Sequence, residues 1–176
     1  MYKLKKICSG DFLADQDFTI RCAGIEDIQE VMRINHTTLP ENYPYPFFVE
    51  ILKKYPKSFI VAEKDGKIVG YMMNRIEKGL SGIFTSGIHR VSKGHVVSIA
   101  VLPEHRRKGI GKKLMQKGME AMKEYGAQEY VLECRITNEP ALTMYKSLGF
   151  TVVKELNGYY HDGESAYLMS KKADNM

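Results

Sequence analysis

The sequence predicts a mixed α/β domain, with strands and helices in the order β-α-α-β-β-β-α-β-α-β-β. Three observations predict it. Short apolar or alternating runs suited to strands lie between segments whose apolar positions recur at helical spacing. Glycines and prolines stand at the boundaries between those runs. The 176 residues, 44% hydrophobic and 27% charged, are near the size of one domain and carry no repeat or low-complexity tract.

The start, "MYKLKKICSGDFLADQDF", is basic but lacks the apolar stretch of a secretion signal, and reads as a short extension over residues 1–17. "FTIRCA" is a first strand. "IEDIQEVMRINH" follows as a helix, with Ile28, Val31, Met32 and Asn35 on one face. The three prolines of "LPENYPYP" predict an irregular loop, and "FFVEILKKY" a second helix stopped by Pro56. "SFIVAEKDGKIVGYMMNRIE" predicts a hairpin through Asp65-Gly66. "KGLSGIFTSGIHRVSKG", with four glycines, reads as a mobile connection.

"HVVSIAVLP" is a buried strand, and it leads into a helix whose face carries Ile110, Leu114, Ala121, Met122 and Tyr125. "YVLEC" is the next strand. "NEPALTMYKSLG" is a short helix with Asn138 at its start, Pro140 in its first turn and Gly149 at its end. "FTVVKEL" and "SAYLMSK" are the closing strands around "NGYYHDGE". The domain is expected over residues 18–171, with a tail over 172–176.

No apolar run approaches the roughly 20 residues that span a bilayer, so a membrane is not an expected partner. The three cysteines, Cys8, Cys22 and Cys134, are odd in number and contain no CxxC pair. That argues against a disulfide framework or a zinc cluster and suits a reducing cytoplasm. The net charge of +5 points to an acidic partner, either a phosphorylated cofactor or nucleic acid.

The charge is concentrated in "HRRKGIGKKLM". Amides at a helix N-terminus are unpaired and sit at the positive end of the helix dipole, and glycines bare them to an anion. Two nucleotide motifs are excluded by spacing. A P-loop needs glycine where Arg106 stands and Ser or Thr where Lys113 stands. A dinucleotide fingerprint needs glycine in place of Leu114. What remains is Arg-x-x-Gly-x-Gly between a buried strand and a helix. The phosphate would rest on the amides of Arg107, Lys108, Gly109, Ile110, Gly111 and Lys112, with Arg106 also counted in the cofactor-binding set.

"HVVSIAVLPEHRRKGIGKKLM" resembles the acetyl-CoA motif of the GNAT acetyltransferases. "LPENY", "GHVVSIAV", "RITNEPALTMYKSLGF" and "YYHDGESAYLM" resemble, within that family, the protein N-terminal acetyltransferases of the Ard1/RimI type, to which the NatA catalytic subunits belong. The resemblance covers about residues 18–171. It implies a single GNAT-like domain with a mixed, mostly antiparallel sheet, flanking helices, and a splayed central strand pair that binds acetyl-CoA. It implies that the backbone of Ile99, Ala100 and Val101 pairs with pantetheine, and that Asn138, Tyr145, Lys146 and Ser147 line the thioester end.

It also implies roles in chemistry. Glu41 of "LPENY" and His95 would act through water on the acceptor amine, and Tyr145 would protonate the departing thiolate. Tyr145 lies on the core face of its helix, so packing is its alternative role. Glu133 alternates with Val131 and stands where related enzymes often carry histidine; it is either directed into the site or a lone edge carboxylate. Tyr159 and Tyr160 would clamp the peptide backbone, with Tyr43 from the opposite wall. Cys134 has no basic partner in the sequence and reads as a small buried strand residue rather than an acyl-enzyme nucleophile. His95 and Glu133 are too few for a catalytic zinc site, so no metal is required.

The implied activity is transfer of acetyl from acetyl-CoA to the free α-amine of protein N-termini, by direct attack in a ternary complex. The alternative is a lysine or small-amine acetyltransferase, which would need a slot for a long apolar stem. A nucleic-acid-binding module would spread its basic residues over a face with aromatics between them. Here they crowd one glycine turn. Association with an auxiliary subunit or the ribosome stays open.

Overall fold

The computed structural model describes residues 17–81 and 90–173. Its elements are β1 (Thr19–Cys22), α1 (Ile28–Thr38), α2 (Tyr45–Lys54), β2 (Ile60–Lys64), β3 (Lys67–Leu80), β4 (Arg90–Val101), α3 (Ile110–Glu124), β5 (Glu129–Arg135), α4 (Glu139–Ser147), β6 (Thr151–Leu156) and β7 (Ala166–Lys172). The order matches the expected one. The strands form one seven-stranded sheet in the order β1-β2-β3-β4-β5-β7-β6. β4 and β5 run parallel, while β1–β2, β2–β3, β5–β7 and β6–β7 are antiparallel. No described helix is long and apolar enough to cross a membrane.

Two compact units divide the chain. One holds the described residues up to Met73 together with Ser98–Gly118. Its core is built from Ile28, Val31 and Ile34 of α1, Phe48 and Ile51 of α2, and Phe59, Val61, Tyr71 and Met72 around β2 and β3. Asp65 and Gly66 both take positive φ, 50° and 72°, which closes the β2–β3 hairpin as the Asp-Gly signal predicts. Gly70 is required on β3, because a Cβ there would lie 2.9 Å from the carbonyl oxygen of Ala100 on β4.

The other unit holds Asn74–Val97 and the described residues from Met119 onward. Its core includes Met122, Tyr130, Leu132, Leu142, Tyr145, Phe150 and Met169. The β4–β5 register runs only from Lys93↔Glu129 to His95↔Val131. β4 continues to Val101 and β5 to Arg135, so the ladder between this central pair stops at His95.

Several sequence expectations need correction. α2 begins at Tyr45, inside the segment read as loop, because Pro46 in a first helical turn has no amide to lose from the ladder. On α1 the buried face carries Ile34 with Ile28, Val31 and Asn35, whereas Met32 is half-buried. On α3, Met115 and Met119 take the core positions expected of Ala121 and Tyr125, which are half-buried. Strand structure extends into the glycine-rich connection up to Leu80 and again from Arg90; its residues 82–89 lie outside the described residues. So do residues 1–16 of the expected extension and 174–176 of the tail. Cys134 is free and buried.

Candidate active site

The glycine turn belongs to the first unit. β4 ends at Val101, one 3₁₀ turn covers Pro103–His105, and α3 begins at Ile110. Between them Arg107 and Gly109 take left-handed φ of 63° and 81°. For Gly109 that costs nothing; for Arg107 it stores about 1–2 kcal/mol of strain, of the kind found at functional sites. Lys113 N bonds Gly109 O at 3.0 Å. The amides of Ile110, Gly111 and Lys112 therefore precede the first intrahelical bond. A Cβ on Gly109 would meet nothing within 4 Å, so the turn is open above its backbone. Alternating left-handed residues followed by bare amides make a concave donor set for oxyanions.

The basic side chains are not uniformly presented. Arg106 Nε donates to Val101 O at 2.9 Å, and Lys108 Nζ to Glu104 O at 3.0 Å. Arg106 thus braces the end of β4, where Ile99 and Val101 are half-buried and Ala100 is buried.

Glu41 and Tyr43 stand between α1 and α2, also in the first unit. Their segment is tied down from below. Buried Asn35 donates Nδ2 to Glu41 O and to Tyr71 Oη, both at 3.0 Å, and Tyr71 shares a 2.7 Å bond with Ser98 Oγ. Burial pushes the Tyr71 phenol up to about 12, so it remains a neutral link. Tyr43 stacks on Phe47 with ring centroids 4.8 Å apart and meets Phe48 edge-on.

In the second unit His95 and Glu133 come together. His95 Nε2 lies 2.7 Å from Glu133 Oε2, and Nδ1 lies 3.1 Å from Glu77 Oε1. Arg75 forms an ion pair with the same Glu77 oxygen and comes within 3.4 Å of Nδ1. Burial of His95 favours the neutral ring, but the bonds and charges of Glu133 and Glu77 outweigh it together, and its pKa is raised. Burial lifts Glu77 as well, yet His95 and Arg75 bring it below the usual carboxylate range. His95 was expected to open its strand; it stands in the middle of β4 instead, with a side chain only 13% exposed. Both of its ring nitrogens face carboxylates, which differs from a neutral base with a nitrogen open to water.

Tyr145 is buried on α4, 6.0 Å from Phe150 by ring centroids. Burial, with Cys134 and Tyr160 as lesser electrostatic neighbours, raises its pKa far above that of a free phenol. At neutral pH it is an uncharged phenol whose hydroxyl can act as a donor. Asn138 caps α4, its Oδ1 accepting from Ala141 N at 3.3 Å. Lys146 is exposed, and Ser147 Oγ donates to Met144 O at 2.7 Å. Burial pushes the Cys134 thiol up to about 11, which suits an inert strand residue. Tyr159 is 49% exposed and packs edge-to-face on Tyr160 at 5.1 Å.

Four contributors were missed. Arg75 and Glu77 alternate onto one strand face, a pattern visible in "NRIE" but read only as the end of a hairpin. Asn35 was assigned to the core face with no partner. Arg135 stood in a quoted motif without a role.

A sequence model of the acetyltransferase (GNAT) family matches residues 26–150. The chain belongs to that family. This GNAT acetyltransferase is 54% identical over 156 residues to the N-alpha-acetyltransferase of Sulfurisphaera tokodaii, covering 88% of this chain and 93% of the relative. It is equally 54% identical over 157 residues to the N-alpha-acetyltransferase of Saccharolobus solfataricus, covering 89% and 93%. Among solved structures, Ard1 from Thermoplasma volcanium matches with a TM-score of 0.77 at 28% identity, over 90% of this chain and 99% of that one. Naa20 of Chaetomium thermophilum, in complex with a bisubstrate analogue, matches with a TM-score of 0.73 at 30% identity, over 88% and 86%.

Proposed function

We propose that this GNAT acetyltransferase moves the acetyl group of acetyl-CoA to the free α-amine of a protein N-terminus. The observation that carries the acceptor is the 54% identity, over 88% of the chain, to a relative named N-alpha-acetyltransferase. The reaction joins the amine nitrogen to the acetyl carbon and breaks the carbon–sulfur bond. One proton leaves the amine and one reaches the thiolate.

Acetyl-CoA phosphates bind the turn formed by Arg107, Lys108, Gly109, Ile110, Gly111 and Lys112, with Arg106 bracing the strand below. Pantetheine pairs with the backbone of Ile99, Ala100 and Val101 in the manner of an added strand. Asn138, Lys146 and Ser147 flank the thioester end. Tyr145, held protonated by burial, donates to the departing sulfur. On the acceptor side Glu41 or Glu133 takes the amine's proton, and His95 acts with Glu133. His95 orients the Glu133 carboxylate through its Nε2 contact rather than acting as a bare base, because both its nitrogens are engaged. Tyr43, Tyr159 and Tyr160 hold the peptide backbone beside the amine.

The test is incubation with acetyl-CoA and a peptide library varied at positions one and two, read by mass. Acetylation that tracks the first residues and vanishes when the α-amine is blocked supports the assignment. Labelling indifferent to the terminus contradicts it.

A further inference from the structure

We propose that Arg135 is a positioning residue for peptide binding, which holds Tyr160 in place through the β6–β7 loop. This rests on the acceptor reading above. Arg135 is the last residue of β5 and pairs in register with Ala166 of β7, so its backbone is fixed at the root of that loop. Its side chain is only 15% exposed and makes two ion pairs, to Asp162 Oδ2 at 2.7 Å and Glu164 Oε2 at 2.5 Å. The same guanidinium carbon stands 4.0 Å over the centroid of the Tyr160 ring.

The loop closes around these contacts. Tyr160 N donates to Glu164 O at 3.0 Å, and Gly163 N to Tyr160 O at 2.9 Å. Glu164 N donates to Asp162 Oδ1 at 3.1 Å. The second oxygen of Glu164 accepts from Thr137 Oγ1 at 2.6 Å and from Thr137 N at 3.2 Å. Glu164 is thereby fixed on both oxygens, and through Arg135 it fixes the ring of Tyr160. Arginine suits this place because its planar group can stack on an aromatic face while its edge pairs with carboxylates. A lysine ammonium can keep one ion pair but loses the stack. Without the brace, Tyr160 must be ordered by the arriving peptide, and that ordering weakens binding.

Arg135→Gln should raise the peptide KM about tenfold, the scale of one lost cation–π and ion-pair contact, with the acetyl-CoA KM changed less than about twofold. Arg135→Lys should recover part of the loss. Glu164→Gln should raise the peptide KM in the same direction. The deciding readout is coupling: adding Arg135→Gln to Tyr160→Ala should raise KM no further than Tyr160→Ala alone, because the arginine acts through that ring. A merely structural arginine would give multiplying losses and would move kcat and the acetyl-CoA KM as well. Unchanged peptide KM in a folded Arg135→Gln overturns the proposal. If that variant does not fold, unchanged KM in both Arg135→Lys and Glu164→Gln overturns it instead. Wild-type protein that acetylates no peptide α-amine contradicts the acceptor reading, a separate failure seen before any variant is made.

Discussion

His95 and Glu133 are 2.7 Å apart, Nε2 to Oε2, and Glu77 closes on the other ring nitrogen at 3.1 Å. The pairing has a pH signature in stability. The folded pKa of His95 is raised above its ordinary 6.5, so its contribution is complete below pH 6.5 and fades as pH rises through the folded value. Glu77 behaves oppositely: its pKa is depressed below 4.5, so its contribution is present above that pH and fades as pH falls through the folded value. The margin in Tm of wild type over His95→Asn should be largest between about pH 4.5 and 6.5 and shrink on both sides. Arg75, paired with Glu77, moderates the size of the margin but not its direction. A margin that grows steadily towards alkaline pH would show that the ring is held neutral.

The same geometry bears on rate. His95→Ala, Glu133→Gln and Glu41→Gln should each lower kcat at pH 7 by about 10- to 100-fold, the scale of losing a proton acceptor. His95→Ala and Glu133→Gln should not multiply, because they form one hydrogen-bonded unit. An α-amine has a reference pKa of about 7.7–8.0, so raising pH towards 9 should partly rescue all of them. Near-normal kcat in all three at pH 7 would leave water as the acceptor.

Gly109 and Gly111 separate strain from ligand approach. Gly109→Ala forces a side chain onto φ 81° and should lower both Tm and acetyl-CoA affinity. Gly111 lies in the first turn of α3 and is not among the residues with positive φ. Alanine there should favour the helix by up to about 1 kcal/mol, while its methyl intrudes on the phosphate. A variant with unchanged or higher Tm and weaker acetyl-CoA binding by calorimetry is the expected result. Full affinity in Gly111→Ala would remove the phosphate from this turn.

The element order was legible because glycines, prolines and periodicity mark boundaries locally. The Asp65-Gly66 turn and the α4 cap at Asn138 follow from residue chemistry alone. The glycine turn before α3 was legible for the same reason: its shape resides in consecutive backbone. The His95 cluster was not. Glu77, His95 and Glu133 stand on three strands, and only the register of the sheet brings them together. Arg135 likewise needed the β5–β7 pairing before its loop contacts had meaning.

Asn35 links Glu41 O to the Tyr71 hydroxyl. Asn35→Ala should cost about 1–3 kcal/mol by leaving buried polar groups unpaired, read as a lower Tm. It should also raise the peptide KM, since the segment carrying Glu41 and Tyr43 loses its anchor. A fall in Tm with peptide KM unchanged would confine Asn35 to the core.

The most direct measurement is competition within one peptide. A peptide with a free α-amine and an internal lysine is incubated with acetyl-CoA at pH 7, and fragmentation locates the added acetyl group. The α-amine should carry nearly all of it, and Tyr160→Ala should slow that labelling without redirecting it to lysine. Acetyl found mainly on the lysine, or equally on both amines, would contradict an enzyme built to grip a peptide terminus.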